Sequence, residues 1–312
     1  MKHFFLLLFM TLPLTAHAES FDQWKAAYAQ RAQASGLTAS QIERALYNIS
    51  LDERVIELDR KQPEGHMTLL EYVEKTVNER RVEKGIRMLA DHRNLLVQVE
   101  RASGVPKEII VSLWGKETDF GAVTGNFNTV NSLATLAYEG RRRDMFEREL
   151  TATIKLASRL GRSPEEIVGS WAGALGQCQF MPTVYLGHGV DGDGDNRVDL
   201  WRSMPDIFYS MANLLRHEGW QAGIPWGARI DMPASVPDTI IGRDKPFQNA
   251  AYWRRLGVRL DGQLGEKLRL YQPDGRNGPA YVITPNFDVL MRWNRSGYFA
   301  TAVGRLADKL SY

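Results

Sequence analysis

Residues 109–121, with the sequence IIVSLWGKETDFG, decide the fold class and contain the strongest candidate for a catalytic residue. Ile110 is followed by Leu113, Trp114 and Glu117 at three, four and seven residues. Side chains at these intervals share one face of an α-helix. The pattern therefore predicts a helix with a carboxyl group, Glu117, on its apolar face and near its C-terminal end.

A carboxyl group in that position has a raised pKa, because burial and the negative end of the helix dipole both disfavour its charged form. A carboxyl that stays protonated near neutral pH can serve as a general acid. The spacing fits a solvated or ion-paired glutamate at a helix end equally well, and that arrangement is the more common one. The residues of this segment leave both interpretations of Glu117 open.

Residues 169–182, GSWAGALGQCQFMP, form a second informative segment. Its small residues allow backbones to approach closely, and the amides of Gln177 and Gln179 can both donate and accept hydrogen bonds. Such side chains suit recognition of hydroxyl and acetamido groups on a sugar. The alternative is a tight helix–helix contact that carries two surface amides.

The composition is that of an ordinary globular protein. The 312 residues are 44% hydrophobic and 24% charged, and the formal net charge is +2. This balance excludes a disordered chain and disfavours general nucleic-acid binding, which depends on neutralising phosphates. The only cysteine, Cys178, cannot form an intramolecular disulfide.

The N-terminus has the order of features typical of an export signal. Lys2 precedes an apolar run at residues 4–14, and Ala16-His17-Ala18 then provides a cleavage site of small residues. We expect a signal peptide at residues 1–18, a single catalytic unit at residues 19–312, and export to the periplasm. The predicted cleavage site has no cysteine, so no membrane anchor is expected.

Helical periodicity dominates the rest of the chain. Thr38 and Gln41 predict a capping box at a helix start, and Gly161 predicts a helix end. Residues 68–103 predict one long helical stretch with a single break near Gly85; Gly104 ends it, and Pro106 begins the next helix. Short strands are predicted at 258–260, 267–271 and 280–284, between turn-forming residues. The prediction is a mainly α (α+β) fold with an N-terminal helical region and a small β insertion near residues 225–285.

Four motifs in order give the chain a family resemblance. They are WGxETxFG at 114–121, GSWAGALGQxQFMP at 169–182, DGDGD at 191–195 leading into DLW at 199–201, and NxSxY at 294–298. The chain resembles the lytic murein transglycosylase B family in its soluble, unlipidated form. The resemblance implies a lysozyme-like catalytic core and cleavage of peptidoglycan between N-acetylmuramic acid and N-acetylglucosamine, leaving 1,6-anhydromuramyl ends.

The resemblance also implies roles for individual residues. Glu117 would be the single acid/base. The implied substrate-binding residues are Ser170, Gln177, Gln179, Arg141, Arg142, Trp293, Asn294 and Tyr298. The chain departs from the family pattern at Asp119, Cys178, Trp293 and Phe299. The last two stand where relatives have tyrosine, and we expect the hydroxyl of Tyr298 to compensate. Asp119 is interpreted as a structural or capping residue.

The acidic loop contains a candidate metal site. Asp191, Asp193 and Asp195 alternate like the first ligands of a calcium-binding EF-hand loop, but Arg202 stands where a bidentate glutamate belongs. A longer loop could recruit Asp206, and the resemblance implies that some relatives hold a cation there. The alternative is an Asp/Gly turn without an ion. Calcium would be structural, and no cofactor is required.

Two other functions remain open at this point. One is a hydrolytic muramidase, and the other is a catalytically silent scaffold that binds peptidoglycan. The expected partners are peptidoglycan glycan strands, with other cell-wall enzymes as further candidates, and we expect a monomer.

Overall fold

The computed structural model describes residues 19–61 and 67–311, so the predicted signal peptide lies outside the described residues. The helices are α1 (Phe21–Ala34), α2 (Ala39–Leu46), α3 (Glu53–Arg60), α4 (Leu69–Thr76), α5 (Glu79–Asp91), α6 (Arg93–Ser103), α7 (Lys107–Thr118), α8 (Thr129–Glu139), α9 (Arg143–Leu160), α10 (Pro182–His188), α11 (Met204–His217), α12 (Ala250–Arg255), α13 (Pro285–Trp293) and α14 (Gly297–Leu310). The strands are β1 (Phe127–Asn128), β2 (Val168–Gly169), β3 (Gly227–Ile230), β4 (Arg269–Tyr271) and β5 (Ala280–Ile283).

The helices bury their apolar faces in two clusters. The first helical cluster joins α1, α2, α3, α8 and α9 through residues such as Trp24, Ile42, Val55, Leu133 and Leu150. The second helical cluster joins α4, α6, α7, α11, α13 and α14 through residues such as Leu69, Leu96, Leu113, Phe208, Phe287 and Val303. Residues 169–182 connect the two, since Trp171 and Met181 pack against the first cluster while Leu175 and Phe180 belong to the second.

A three-stranded antiparallel sheet covers a separate, smaller apolar cluster. Its strand order is β3-β5-β4, and Val282 of β5 lies opposite Ala228 of β3 and Leu270 of β4. The side chains of Val236, Trp253, Leu268 and Leu270 complete this cluster with Val282. The other sheet has two short strands, in which Phe127 of β1 faces Gly169 of β2.

Several predicted helix boundaries are confirmed by their capping residues. Thr38 and Gln41 form the capping box at the start of α2, and Gly104 ends α6 in the left-handed conformation with φ of 72°. Pro106 directly precedes α7, and Gly161 ends α9. In each case the residue type satisfies a need of the adjacent helix end.

The prediction of a single break near Gly85 was wrong. The stretch 68–103 divides twice, because Asn78 caps a new helix and His92 separates α5 from α6. Gly85 lies inside α5, where a Cβ atom would come within 2.8 Å of the Leu310 side chain. The glycine therefore permits close packing of α5 against α14 rather than a break in the helix.

The strand predictions were partly wrong. Residues 258–260 form no strand, since Val258 follows the left-handed Gly257 that closes α12 and is buried in the small apolar cluster. The pattern also missed β3 and the pair formed by β1 and β2. These strands have two to four residues, which is too short for an alternating pattern to stand out.

We predict that Gly304→Ala destabilises the protein, because a Cβ atom there would lie 2.2 Å from the buried Trp226 ring. Overpacking of this kind costs roughly 1–3 kcal/mol and lowers Tm by roughly 2–10 °C in a chain of this size. Thermal unfolding measures the effect. The control is Gly187→Ala in α10, where nothing lies within 4 Å of the added atom; equal Tm values for the two variants would contradict the packing argument.

Candidate active site

Glu117 stands one residue before the end of α7, with its carboxyl group in largely apolar surroundings. Burial raises its pKa from 4.5 to about 7, although a hydrogen bond from Trp293 and the positive charge of Lys116 act in the opposite direction. The side chain retains partial solvent exposure. The carboxyl is therefore protonated over much of the range near neutral pH and remains reachable, as a general acid requires.

Trp293 makes the defining contact of the site. It is the last residue of α13, and its Nε1 donates a hydrogen bond of 2.6 Å to Oε1 of Glu117. An indole N–H can donate but cannot accept. Oε1 therefore receives a hydrogen bond in both protonation states, and the acidic proton belongs on Oε2. The Phe180 ring packs against the indole, with 5.3 Å between the two ring centres.

The turn after α7 is fixed by Asp119, which adopts the left-handed conformation with φ of 49°. Its carboxylate lies 3.2 Å from Lys84 and 3.6 Å from Arg81, both on α5. These cations lower the pKa of Asp119 against the effect of its burial. The geometry agrees with the structural role expected for Asp119.

Gln177 is engaged by the protein on both sides of its amide. Trp114 Nε1 donates to its Oε1 at 2.7 Å, and its Nε2 donates to the carbonyl of Trp201 at 2.8 Å. Thr118 Oγ1 also donates a hydrogen bond of 3.2 Å to the backbone carbonyl of Gln177. These bonds tie the catalytic helix to the loop at 199–201 and leave one N–H group and one oxygen lone pair of the amide without a partner among the described residues. A role of Gln177 in substrate binding stays a prediction.

Ser170 and Gln179 keep polar atoms available. Ser170 Oγ accepts a hydrogen bond of 2.9 Å from the backbone of Ala174, which leaves its hydroxyl proton free to donate. Gln179 has φ of 50°, and its Nε2 donates to the carbonyls of Thr124 and Gly176. This positions Oε1 as the acceptor of the side chain. Residues 169–182 thus form a tight loop, and not the helix–helix contact of the alternative interpretation.

The aromatic residues before and within α14 are arranged differently from the expectation. The hydroxyl of Tyr298 donates to Asp274 at 3.0 Å, so it does not replace a missing hydroxyl beside Glu117. The indole of Trp293 supplies that hydrogen bond instead. Phe299 is buried in the second helical cluster, and Asn294 is exposed at the end of α13.

Tyr72 of α4 was not predicted from the sequence. Its hydroxyl lies 3.3 Å from Lys116 Nζ, and its ring is 5.9 Å from that of Tyr298. Burial raises the pKa of Tyr72, and the charge of Glu117 raises it further. Tyr72 thus stands close to the carboxyl, but no local pattern links α4 to α7 in the sequence.

Arg141 and Arg142 lie between α8 and α9 and both pair with the buried carboxylate of Asp59 on α3. Arg142 is 2.8 Å from Asp59 Oδ1. Both guanidinium groups remain about half exposed. The structure therefore places the arginine pair on the first helical cluster without a contact to Glu117, and its role toward substrate stays a prediction.

The acidic loop brings three of the four predicted ligands together. Oxygen atoms of Asp191, Asp193 and Asp206 all lie within 4.8 Å of one another, whereas Asp195 is outside this group. Asp206 is buried and accepts backbone hydrogen bonds from Gly192 at 2.8 Å and Asp199 at 2.6 Å. Converging carboxylate oxygens suit a hard divalent cation such as calcium.

Comparison with known proteins places the chain in a family. Residues 20–308 match the family described as the transglycosylase SLT domain. The chain belongs to this family. It is 31% identical to the membrane-bound lytic murein transglycosylase B of Escherichia coli, over 80% of this chain and 70% of that protein. The resemblance drawn from the four motifs is thereby confirmed.

Solved structures confirm the mainly α, lysozyme-like fold. SltB3 of Pseudomonas aeruginosa, solved in complex with NAG-NAM-pentapeptide, is 37% identical with a TM-score of 0.87, covering 94% of this chain and 80% of that chain. Slt35 of Escherichia coli, solved in complex with calcium, is 28% identical with a TM-score of 0.79, covering 92% of each chain.

We predict that Glu117→Gln stabilises the fold at alkaline pH. The pKa of Glu117 is about 7 in the folded protein and about 4.5 in the unfolded chain. Between these two pH values the carboxyl ionises in the unfolded chain but not in the folded protein, so the wild type loses stability as the pH rises. The uncharged amide escapes this loss, worth about 1–3 kcal/mol. Urea unfolding at pH 4 and pH 8 measures it. A stability difference that is the same at both pH values would contradict the raised pKa.

Proposed function

We propose that this protein is a lytic transglycosylase that cleaves the MurNAc-(β1,4)-GlcNAc bond of peptidoglycan and leaves 1,6-anhydromuramyl ends, with Glu117 as its single acid/base. The observation that carries the proposal is the Glu117 carboxyl, kept protonated by burial and oriented by the indole of Trp293. Membership of a family whose relatives are lytic transglycosylases supports the same reaction.

The reaction needs one group that first gives and then takes a proton. Protonated Glu117 donates to the glycosidic oxygen while the bond from that oxygen to muramyl C1 breaks. The resulting carboxylate takes the proton of the muramyl C6 hydroxyl, whose oxygen forms the new bond to C1. No water is consumed. Because the attacking hydroxyl belongs to the same sugar, its effective concentration is high and no second carboxylate has to position a water.

The geometry of Asp119 disfavours a hydrolytic muramidase. Hydrolysing glycosidases generally use a second carboxylate about 5–9.5 Å from the acid. Asp119 follows Glu117 closely in sequence, but its carboxylate is turned toward Lys84 and Arg81 of α5. A silent scaffold is disfavoured as well, because a protonated carboxyl in apolar surroundings has no evident stabilising purpose.

Substrate contacts are assigned to the side chains that keep free polar atoms or exposed surface. Ser170, Gln179, Trp293, Asn294 and Tyr298 would contact the glycan near Glu117. Arg141 and Arg142 would bind carboxylates of the substrate from the first helical cluster. Gln177, which also positions α7, would contact the glycan through the N–H group and the oxygen lone pair that its bonds to Trp201 and Trp114 leave free.

We further propose that residues 1–18 direct export to the periplasm. The enzyme would act there as a monomer on glycan strands and would require no cofactor. None of the helices in residues 19–61 and 67–311 has the length and apolar composition to cross a membrane. Other cell-wall enzymes remain candidate partners. Calcium would bind Asp191, Asp193 and Asp206, where it would relieve repulsion among carboxylates and stabilise the loop.

Digestion of purified sacculi tests the reaction. We expect the wild type to release muropeptides with anhydro ends, which are one water lighter than hydrolysed products by mass spectrometry. Glu117→Gln should lose at least about a thousandfold in rate, because the amide cannot donate an acidic proton. The matched control is Glu108→Gln in the first turn of the same helix. Only reducing ends from the wild type, or an active Glu117→Gln variant, would sink the proposal.

Calcium binding is tested by thermal unfolding. Millimolar calcium should raise the Tm of the wild type by a few degrees, because the ion binds the folded loop only. Asp193→Ala should abolish the shift, whereas Asp195→Ala should keep it, since Asp195 lies outside the three-carboxylate group. Loss of the shift in both variants, or in neither, would refute the assigned ligand set.

A further inference from the structure

Lys116 is a half-buried cation next to the catalytic carboxyl whose binding capacity the protein leaves largely unused. Among the described residues, the only hydrogen bond of its ammonium group is to the Tyr72 hydroxyl at 3.3 Å. No carboxylate of the described residues lies within 4 Å of its Nζ. Lys84 and Lys107, by contrast, each form ion pairs with carboxylates. An ammonium group has three N–H donors, so two are free.

Aromatic rings of neighbouring helices surround the ammonium group of Lys116, and no counter-ion among the described residues does. Nζ lies 4.7 Å from the centre of the Tyr72 ring and 5.7 Å from that of the Phe299 ring. Burial and the positive charge of Arg81 lower the pKa of Lys116 to about 8. Lysine in a protein interior is ordinarily paired with an anion. Here the site would be completed by an anion that arrives with a ligand.

We propose that Lys116 binds a carboxylate of the peptidoglycan substrate and thereby selects glycans that carry one beside the scissile bond. This inference rests on the proposed function. Two sources share the chemistry: the lactyl group on the muramyl ring whose C1 is attacked, which is a free carboxylate once the peptide is removed, and the carboxylates of the stem peptide. Either would supply the acceptor oxygens that the two free N–H groups of Lys116 lack.

The site differs from the one expected for Arg141 and Arg142. Those residues are already paired with Asp59 on the first helical cluster. Lys116 belongs to α7, one residue from Glu117, and contacts α4 and α14 of the second helical cluster. An anion bound by Lys116 would therefore place the reacting sugar directly at the acid.

The test compares the wild type with Lys116→Met and Lys116→Arg on four substrates. Two are glycan strands with intact stem peptides and strands stripped by an amidase to free lactyl carboxylates. The other two are the same strands after their carboxyls have been coupled to methylamine. The rates of formation of anhydro products give kcat and KM separately for each. Loss of one charge-assisted contact should raise the KM of Lys116→Met about tenfold on an anionic substrate.

We expect the kcat of Lys116→Met to stay within about threefold of the wild-type value, and Lys116→Arg to restore most of the affinity. On both amidated substrates, the wild type and Lys116→Met should have equal KM. An effect confined to stripped strands identifies the lactyl carboxylate, and one confined to peptide-bearing strands identifies the stem peptide. An equal KM loss on amidated and anionic substrates, a loss in kcat alone, or no change overturns the assignment.

A pH series provides a second readout. The titratable groups around Lys116 are Glu117 on the same helix, Arg81 on α5 and the neutral hydroxyl of Tyr72 on α4. As Lys116 loses its proton above about pH 8, the wild-type KM for the anionic substrate should rise. Glu117 ionises in both enzymes, but only the wild type also loses the positive charge at residue 116, so the rise in KM should be larger in the wild type than in Lys116→Arg. An equal rise in both would contradict the assignment.

The controls separate this inference from the proposed function. If the wild type releases no anhydro products from any of the four substrates, the function itself fails. If the wild type cleaves and Lys116→Met is indistinguishable from it, only the inference fails. Thermal unfolding checks that each variant is folded, and Lys116→Gln replaces Lys116→Met if the longer apolar side chain disturbs the packing of Tyr72 and Phe299.

Discussion

The site depends on a single constraint, which is that a carboxyl group must sit in apolar surroundings without becoming an unpaired buried charge. Glu117 meets it by keeping its proton up to about pH 7 and by taking one hydrogen bond from an indole that can only donate. The hydrogen bond stabilises the carboxylate formed after proton transfer, and the apolar surroundings stabilise the acid before it. Both states of the cycle are thereby supported by the same two features.

Contacts with α5 and with the loop at 199–201 fix the position of the C-terminal turn of α7. Asp119 closes the helix and is anchored to α5, while Gln177 joins Trp114 and Thr118 to the loop at 199–201. That loop continues into Asp206, the buried member of the carboxylate group, through the backbone of Asp199. The acidic loop is thus connected to the catalytic helix through a short series of hydrogen bonds, so a cation bound there would stabilise the site without taking part in the chemistry.

The sequence predicted those features that a local pattern determines. The apolar face of α7, the left-handed Gly104 and the capping box at Thr38 follow from spacing and from residue type. The partners of the catalytic carboxyl could not be predicted in this way. Trp293 and Tyr72 come from α13 and α4, and only tertiary packing brings them to Glu117. Tyr298 was expected to supply a hydroxyl, but Asp274 accepts its hydrogen bond.

Residue type alone does not determine which partners a polar side chain or a glycine has in the folded protein. Gln177 and Gln179 stand in the same motif, yet the protein binds the amide of Gln177 at both its oxygen and its nitrogen. It binds the amide of Gln179 at the nitrogen. Gly85 resembled a helix break but permits a close helix contact. The distinction depends on which backbone or ring approaches the side chain, and that is set by long-range packing.

The pKa of Glu117 tests the central claim most directly. Titration of its ¹³Cδ resonance by NMR in the free enzyme, assigned through Glu117→Gln, follows the carboxyl without relying on turnover. We predict an apparent pKa of about 7, so activity on sacculi should decline as the pH rises through this value. A value near 4.5, the usual pKa of glutamate, would show that the carboxyl is ionised at neutral pH and would contradict its role as the acid.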